Sequence, residues 1–154
     1  MRVFMAVCFS VLSHGAFAQD ALFDLAGNWS GAGVFLDRNI EEDIRCRITV
    51  TSDDKTTDII GVCASARRNE NVDFSIIRNA DGSLISRLGN ENSGRRPVVL
   101  AGGLEEDGLQ LSGQQGAEQT RITMQLTEPD TMEMTVIIST EARTQMTKLL
   151  FTKR

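Results

Sequence analysis

Between Ile44 and Thr51 the chain alternates without a break, with Ile44, Cys46, Ile48 and Val50 apolar and Arg45, Arg47, Thr49 and Thr51 polar. A period of two puts the first set on one face of an extended strand and the second on the other. A strand with one apolar face has to bury that face against other strands, so the fold must be built from a sheet. The same period returns along the chain. Further strands are expected at Gly27–Leu36, Thr57–Ala64, Val72–Arg78, Leu84–Leu88, Val98–Leu104, Leu109–Gly113, Gln119–Leu126, Met132–Ser139 and Arg143–Thr152. No helical stripe competes with them. Strands this short and closely spaced argue for an antiparallel meander, and closing it into a barrel removes its exposed edges.

The turns support this reading. Asp53-Asp54-Lys55-Thr56 separates the second and third strands, Asp81-Gly82 and Asp107-Gly108 are hairpin signals, and Glu128-Pro129-Asp130 places proline where a type I turn accepts it. A hairpin centred on Asp54-Lys55 sets Cys46 directly opposite Cys63. Opposed residues on antiparallel strands are close enough to be bridged. The expected disulfide closes a short loop and stabilises by about 3 kcal/mol on the chain-entropy model. A redox role is disfavoured, because the pair has neither CxxC spacing nor a neighbouring histidine to lower a thiol pKa. Gly89 to Pro97 is the longest polar interruption.

The first 18 residues read as a secretory leader. Arg2 is followed by an apolar run from Val3 to Leu12, and Ala16 and Ala18 supply the small residues of a cleavage site. Residues 19–154 then form a single β-barrel domain, periplasmic or secreted, where a disulfide persists. The leader takes with it His14, which is the only histidine, and Cys8. The whole chain has 16 basic and 21 acidic side chains; Arg2 leaves with the leader, so the mature balance is 15 against 21, or −6. Such a chain has no electrostatic footprint for nucleic acid. No later apolar run is long enough for a membrane span.

A mature chain without histidine lacks the commonest general base and metal ligand. Asp53, Asp54 and Asp58, Glu41-Glu42-Asp43 and Glu105-Glu106-Asp107 lack the ligand spacing of a calcium loop and read as solvated turns. No catalytic, cofactor-binding or metal-binding residue is assigned, and the chain is not expected to be an enzyme. Trp29, Phe74, Met132 and Met134 are the candidate apolar interior, with Met132, Met134, Val136 and Ile138 sharing one strand face. Gly31 and Gly33 on the Trp29 face indicate a tightly coiled or closely approached strand. Leu149 and Phe151 are expected to meet the Trp29 strand at closure. Arg95 and Arg96 are candidate partner contacts, and Arg67-Arg68 reads as solvated loop charge.

Three resemblances attach to these residues. Trp29-x-Gly31-x-Gly33, Ile44-Arg45-Cys46-Arg47 and Cys63-Ala64-Ser65 resemble a family of uncharacterised secreted or periplasmic small β-barrel proteins of alphaproteobacteria. That resemblance covers most of the mature chain and implies no particular activity. Leu25-Ala26-Gly27-Asn28-Trp29 with Cys46-Arg47-Ile48 is similar to periplasmic metalloprotease inhibitors, which act through their N-terminal segment, here Gln19 to Asp24. Gly27-Asn28-Trp29 resembles the opening of lipocalin-like barrels, and Trp29-x-Gly31-x-Gly33 also resembles nitrobindin-like haem barrels. The latter hold haem through a histidine, which the mature chain lacks.

The expected fold is therefore all-β, a single antiparallel meander closing into a small lipocalin-like barrel of about 8–10 strands with one disulfide. The expected function is a non-catalytic secreted or periplasmic binding or accessory protein, taking a small apolar ligand or a protein partner and no cofactor. The alternative is an inhibitor of a secreted protease, and an enzyme built on carboxylates ranks third.

Overall fold

The computed structural model describes residues 22, 24–88, 97–105 and 108–154. Ten strands follow one another: β1 (Gly27–Asp37), β2 (Ile40–Ser52), β3 (Thr56–Ala64), β4 (Asn69–Arg78), β5 (Leu84–Leu88), β6 (Val98–Glu105), β7 (Gly108–Gln115), β8 (Glu118–Glu128), β9 (Thr131–Thr140) and β10 (Arg143–Lys153). Each pairs antiparallel with its sequence neighbours, and β10 returns to β1, so the sheet is a closed barrel. All ten expected strands are present. Most run one to three residues further than alternation alone indicates, because pairing continues into polar ends where no apolar residue marks the strand.

The register follows the side-chain pattern. Cys46 lies opposite Cys63 and the two are joined, with Cα atoms 4.1 Å apart. The turn before β3 is closed by the Asp53 amide donating to the Thr56 carbonyl at 2.8 Å. Asp53 Oδ1 also accepts from the amides of Lys55 and Thr56 at 2.8 and 2.7 Å. The Asp81-Gly82 signal is realised within a longer loop, Asn79 to Ser83, with Gly82 at φ 84°. Pro129 and Asp130 form the turn between β8 and β9. Asp107, the first 18 residues and the segment 89–96 lie outside the described residues.

Closure depends on two glycines. Gly31 faces Phe151 in the β1–β10 register. A Cβ there would come within 2.5 Å of the Phe151 ring, and one at Gly33 within 1.8 Å of the Lys148 carbonyl oxygen. The first and last strands thus approach more closely than any side chain at these positions would permit. Leu149 and Phe151 are buried, while Leu150 is 51% exposed on the outer face.

Because the chain is a pure meander, odd strands run from one end of the barrel to the other and even strands run back. The end where β1 starts holds Trp29, Val50, Ile59, Met132 and Phe151, each 2% exposed or less. Leu22 and Leu25 are buried with the same core cluster, and the Trp29 indole N–H donates to the Leu25 carbonyl at 2.8 Å. This end is sealed.

The open end of the barrel as the candidate functional site

Along β2 and β9 exposure of the inward residues differs between the two ends. On β9, Met132 is the second residue from the sealed end and is fully buried. At the other end of the same strand, inward-facing Val136 and Ile138 are both partly exposed. On β2, Val50 is two residues from its sealed end and 2% exposed, whereas Glu42 and Ile44 are partly exposed toward the opposite end. Phe35, Val72, Leu88 and Val98 repeat this around the barrel: each has inward parity and each is incompletely buried. Toward the far end the inward positions among the described residues are therefore mixed: apolar and partly exposed at Phe35, Ile44, Val72, Leu88, Val98, Val136 and Ile138, and polar at Thr120, Gln145 and Thr147.

A ring of polar side chains stands at that end. Asp37, at the end of β1, is 5% exposed and pairs in register with Gln145. Arg143 clasps its carboxylate with both Nε and Nη2, the first at 2.7 Å, and Gln145 Nε2 donates at 3.3 Å. On β2, Glu42 accepts from Ser65 Oγ at 2.8 Å and pairs with Arg67 at 3.3 Å. The Arg68 guanidinium lies 4.1 Å from the centre of the Phe35 ring and pairs with Glu70 at 3.2 Å. Three carboxylates thus face three arginines, and the rim offers no uncompensated charge among these groups.

The Arg143 hydrogen bond is the main reason the Asp37 carboxyl falls from an ordinary 3.8 to about 2; burial opposes it, and Gln145 and the charges of Arg143 and Arg38 assist. The same contact raises the Arg143 pKa. A carboxyl depressed on folding stabilises above its unfolded pKa, and that contribution disappears as the pH falls through the folded value. The Asp37 contribution should be complete above about pH 4 and gone below about pH 2. Asp53 and Asp81 are also lowered by their turn hydrogen bonds, so the informative quantity is a difference. Melting temperatures of the natural protein and Asp37→Asn should converge as the pH is lowered through that window. A gap that stays constant would place the stabilisation elsewhere.

The structure places Trp29, Phe74, Met132 and Met134 inside the barrel at 1, 4, 0 and 8% exposure. They belong to the core rather than to the partly exposed inward positions. Arg95 and Arg96 lie outside the described residues. Arg67 and Arg68 are exposed loop charges as read, each also ion-paired at the rim. One sequence reading needs correction: Glu42 of the Glu41-Glu42-Asp43 run has inward parity on β2, with its side chain 11% exposed, rather than lying in a solvated turn. Nor is the interior wholly apolar: Asp37, Thr57, Ser86 and Thr120 are buried. The Ser86 hydroxyl and Arg78 Nη1 are buried without a hydrogen-bond partner among the described residues. Alternation assigns Asp37, Arg143 and Gln145 to the inner face, but only the β1–β10 closure brings residues 106 positions apart into contact.

Neither the models of known protein families nor the curated proteins contain a match to this chain. Solved structures do match in fold. The S-type phycobiliprotein lyase CPES from Guillardia theta aligns over 91% of this chain and 94% of its own, with a TM-score of 0.68 and 11% identity. EF1p2_mFAP2b, solved bound to DFHBI, aligns over 89% and 99%, with a TM-score of 0.51 and 10% identity. At these identities the likeness is one of fold, a small β-barrel. No helix among the described residues is long and apolar enough to cross a membrane.

Proposed function

We propose that the protein is a non-catalytic binding or accessory protein of the periplasm or secreted space, and that the open end of the barrel receives a small, largely apolar molecule. The observation that carries this reading is the asymmetry of β9, sealed at Met132 and open at Val136 and Ile138. A preformed apolar concavity with a few polar groups at its edge is the usual form of a small-molecule site. The pairing of Asp37, Glu42 and Glu70 with Arg143, Arg67 and Arg68 favours a neutral or weakly polar ligand over an ion, because a charged ligand engaging these groups would have to displace a partner. The Ser86 hydroxyl, without a hydrogen-bond partner among the described residues, lies one inward position below Leu88, where a polar atom of a deeply seated ligand would satisfy it. Asp37, held ionised by Arg143, is unsuited to act as a general acid near neutral pH. The two neighbours in fold support the reading by analogy: one is named a phycobiliprotein lyase, and the other was solved with DFHBI bound. The disulfide agrees with an oxidising compartment. The inhibitor alternative, which needs a projecting N-terminal segment, is less favoured because Leu22 within it is buried.

Titration with the neutral fluorescent probe N-phenyl-1-naphthylamine tests this. Saturable binding is expected, weakened about tenfold or more by Val136→Trp, which fills the open end from an inward position. Unchanged affinity in that variant, or no saturable binding, would contradict the proposal.

A further inference from the structure

Outside the barrel, β1 carries Ser30 and Ala32 where its neighbours carry larger side chains. A hollow of about 580 Å³ runs over them, walled by Arg45 on β2, Val62 on β3 and Leu150 on β10, with Arg154 at one side. A second hollow of about 640 Å³ adjoins it and shares Arg47 and Arg154. We propose that this trough docks an extended acidic and aliphatic segment of a partner protein.

Charge is the first argument. The chain as a whole is acidic, at −5, yet no carboxylate side chain lines either hollow. Arg45, Arg47 and Arg154 are exposed, and no ion pair engages them among the described residues. Asp43, Glu133 and Asp73 flank the trough in the register without pairing with them. Arg154 donates from Nη2 to Ser30 Oγ at 2.9 Å. Spacing is the second argument. Arg45 and Arg47 lie two apart on one strand, so they repeat at roughly 7 Å, the same interval as alternate side chains of an extended peptide. Acidic residues at every second position can meet both arginines in charge-assisted hydrogen bonds. Apolar residue supply is the third: Val62 at 41%, Leu150 at 51% and Ile60 at 58% are among the most exposed large hydrophobics and all border the trough. The floor at Ser30 and Ala32 is recessed between these walls, which suits a single chain and keeps a flat bilayer from reaching it.

Fluorescence anisotropy with a labelled heptapeptide of alternating glutamate and leucine tests the proposal. The expected result is salt-sensitive binding, about tenfold or more weaker for the glutamine–leucine peptide. Combined Arg45→Gln, Arg47→Gln and Arg154→Gln should weaken it similarly, and Ala32→Leu should weaken it by filling the floor with charge unchanged. Arg121→Gln, an exposed arginine on β8, should leave it unchanged. Equal affinity for the two peptides, indifference to the trough variants, or binding only to phosphatidylglycerol-containing vesicles would overturn it.

Discussion

Replacing Trp29 with alanine is expected to lower the unfolding free energy by about 3–5 kcal/mol, the range for removing a fully buried large aromatic side chain. Trp29 is 1% exposed. It stands at the sealed end, in the cluster that includes Val50, Ile59, Met132 and Phe151. The variant would lose that packing and leave the Leu25 carbonyl without the indole donor it now has at 2.8 Å. It would also remove the ring beneath Lys153 Nζ, which lies 5.4 Å from the ring centre. Denaturation should be followed by far-ultraviolet circular dichroism, since Trp29 is the only tryptophan and its own fluorescence disappears with it. Trp29→Phe keeps most of the buried area and should cost less. A loss below about 1 kcal/mol for the alanine variant would show that the sealed end does not depend on this residue.

The second large effect is expected at the disulfide. Cys46 and Cys63 close a 17-residue separation, and the paired change Cys46→Ala with Cys63→Ala should destabilise by about 3 kcal/mol. Both cysteines are buried, at 1 and 8% exposure, so a further loss from the vacated space is expected. Thiol counting on the denatured, unreduced mature protein should find none free. Two free thiols would remove the staple from the account and return thiol chemistry to consideration.

Much of this fold is legible in the sequence, for a physical reason. The side-chain period of a strand is two, so a run such as Ile44 to Thr51 specifies its buried face, and a one-residue slip would expose it. Adding the short turn at Asp54-Lys55 fixes the Cys46–Cys63 register observed. The small residues Gly31 and Gly33 mark where β1 and β10 come together. What alternation does not carry is position along the barrel axis. Val136 and Met132 have the same parity and similar character, yet one is partly exposed and the other fully buried. That difference depends on how far each strand extends and what caps each end. The rim pairs are hidden for a related reason. Asp37 and Arg143 become neighbours only through closure of the first strand onto the last, and Glu42 meets Arg67 only across the loop between β3 and β4. Polar residues at inward positions near strand ends look like solvated turn residues until their partners are placed.

The most direct test of the central claim is methyl-resolved NMR of the protein titrated with N-phenyl-1-naphthylamine. Saturable shifts are expected at the methyl groups of Ile44, Val72, Leu88, Val98 and Val136, the partly exposed inward residues of the open end. Little change is expected at Met132, Ile59 and Leu100, which belong to the sealed core. Shifts confined to Ile60, Val99 and Leu150 on the outer face, with the methyl groups of the open end unmoved, would contradict that claim.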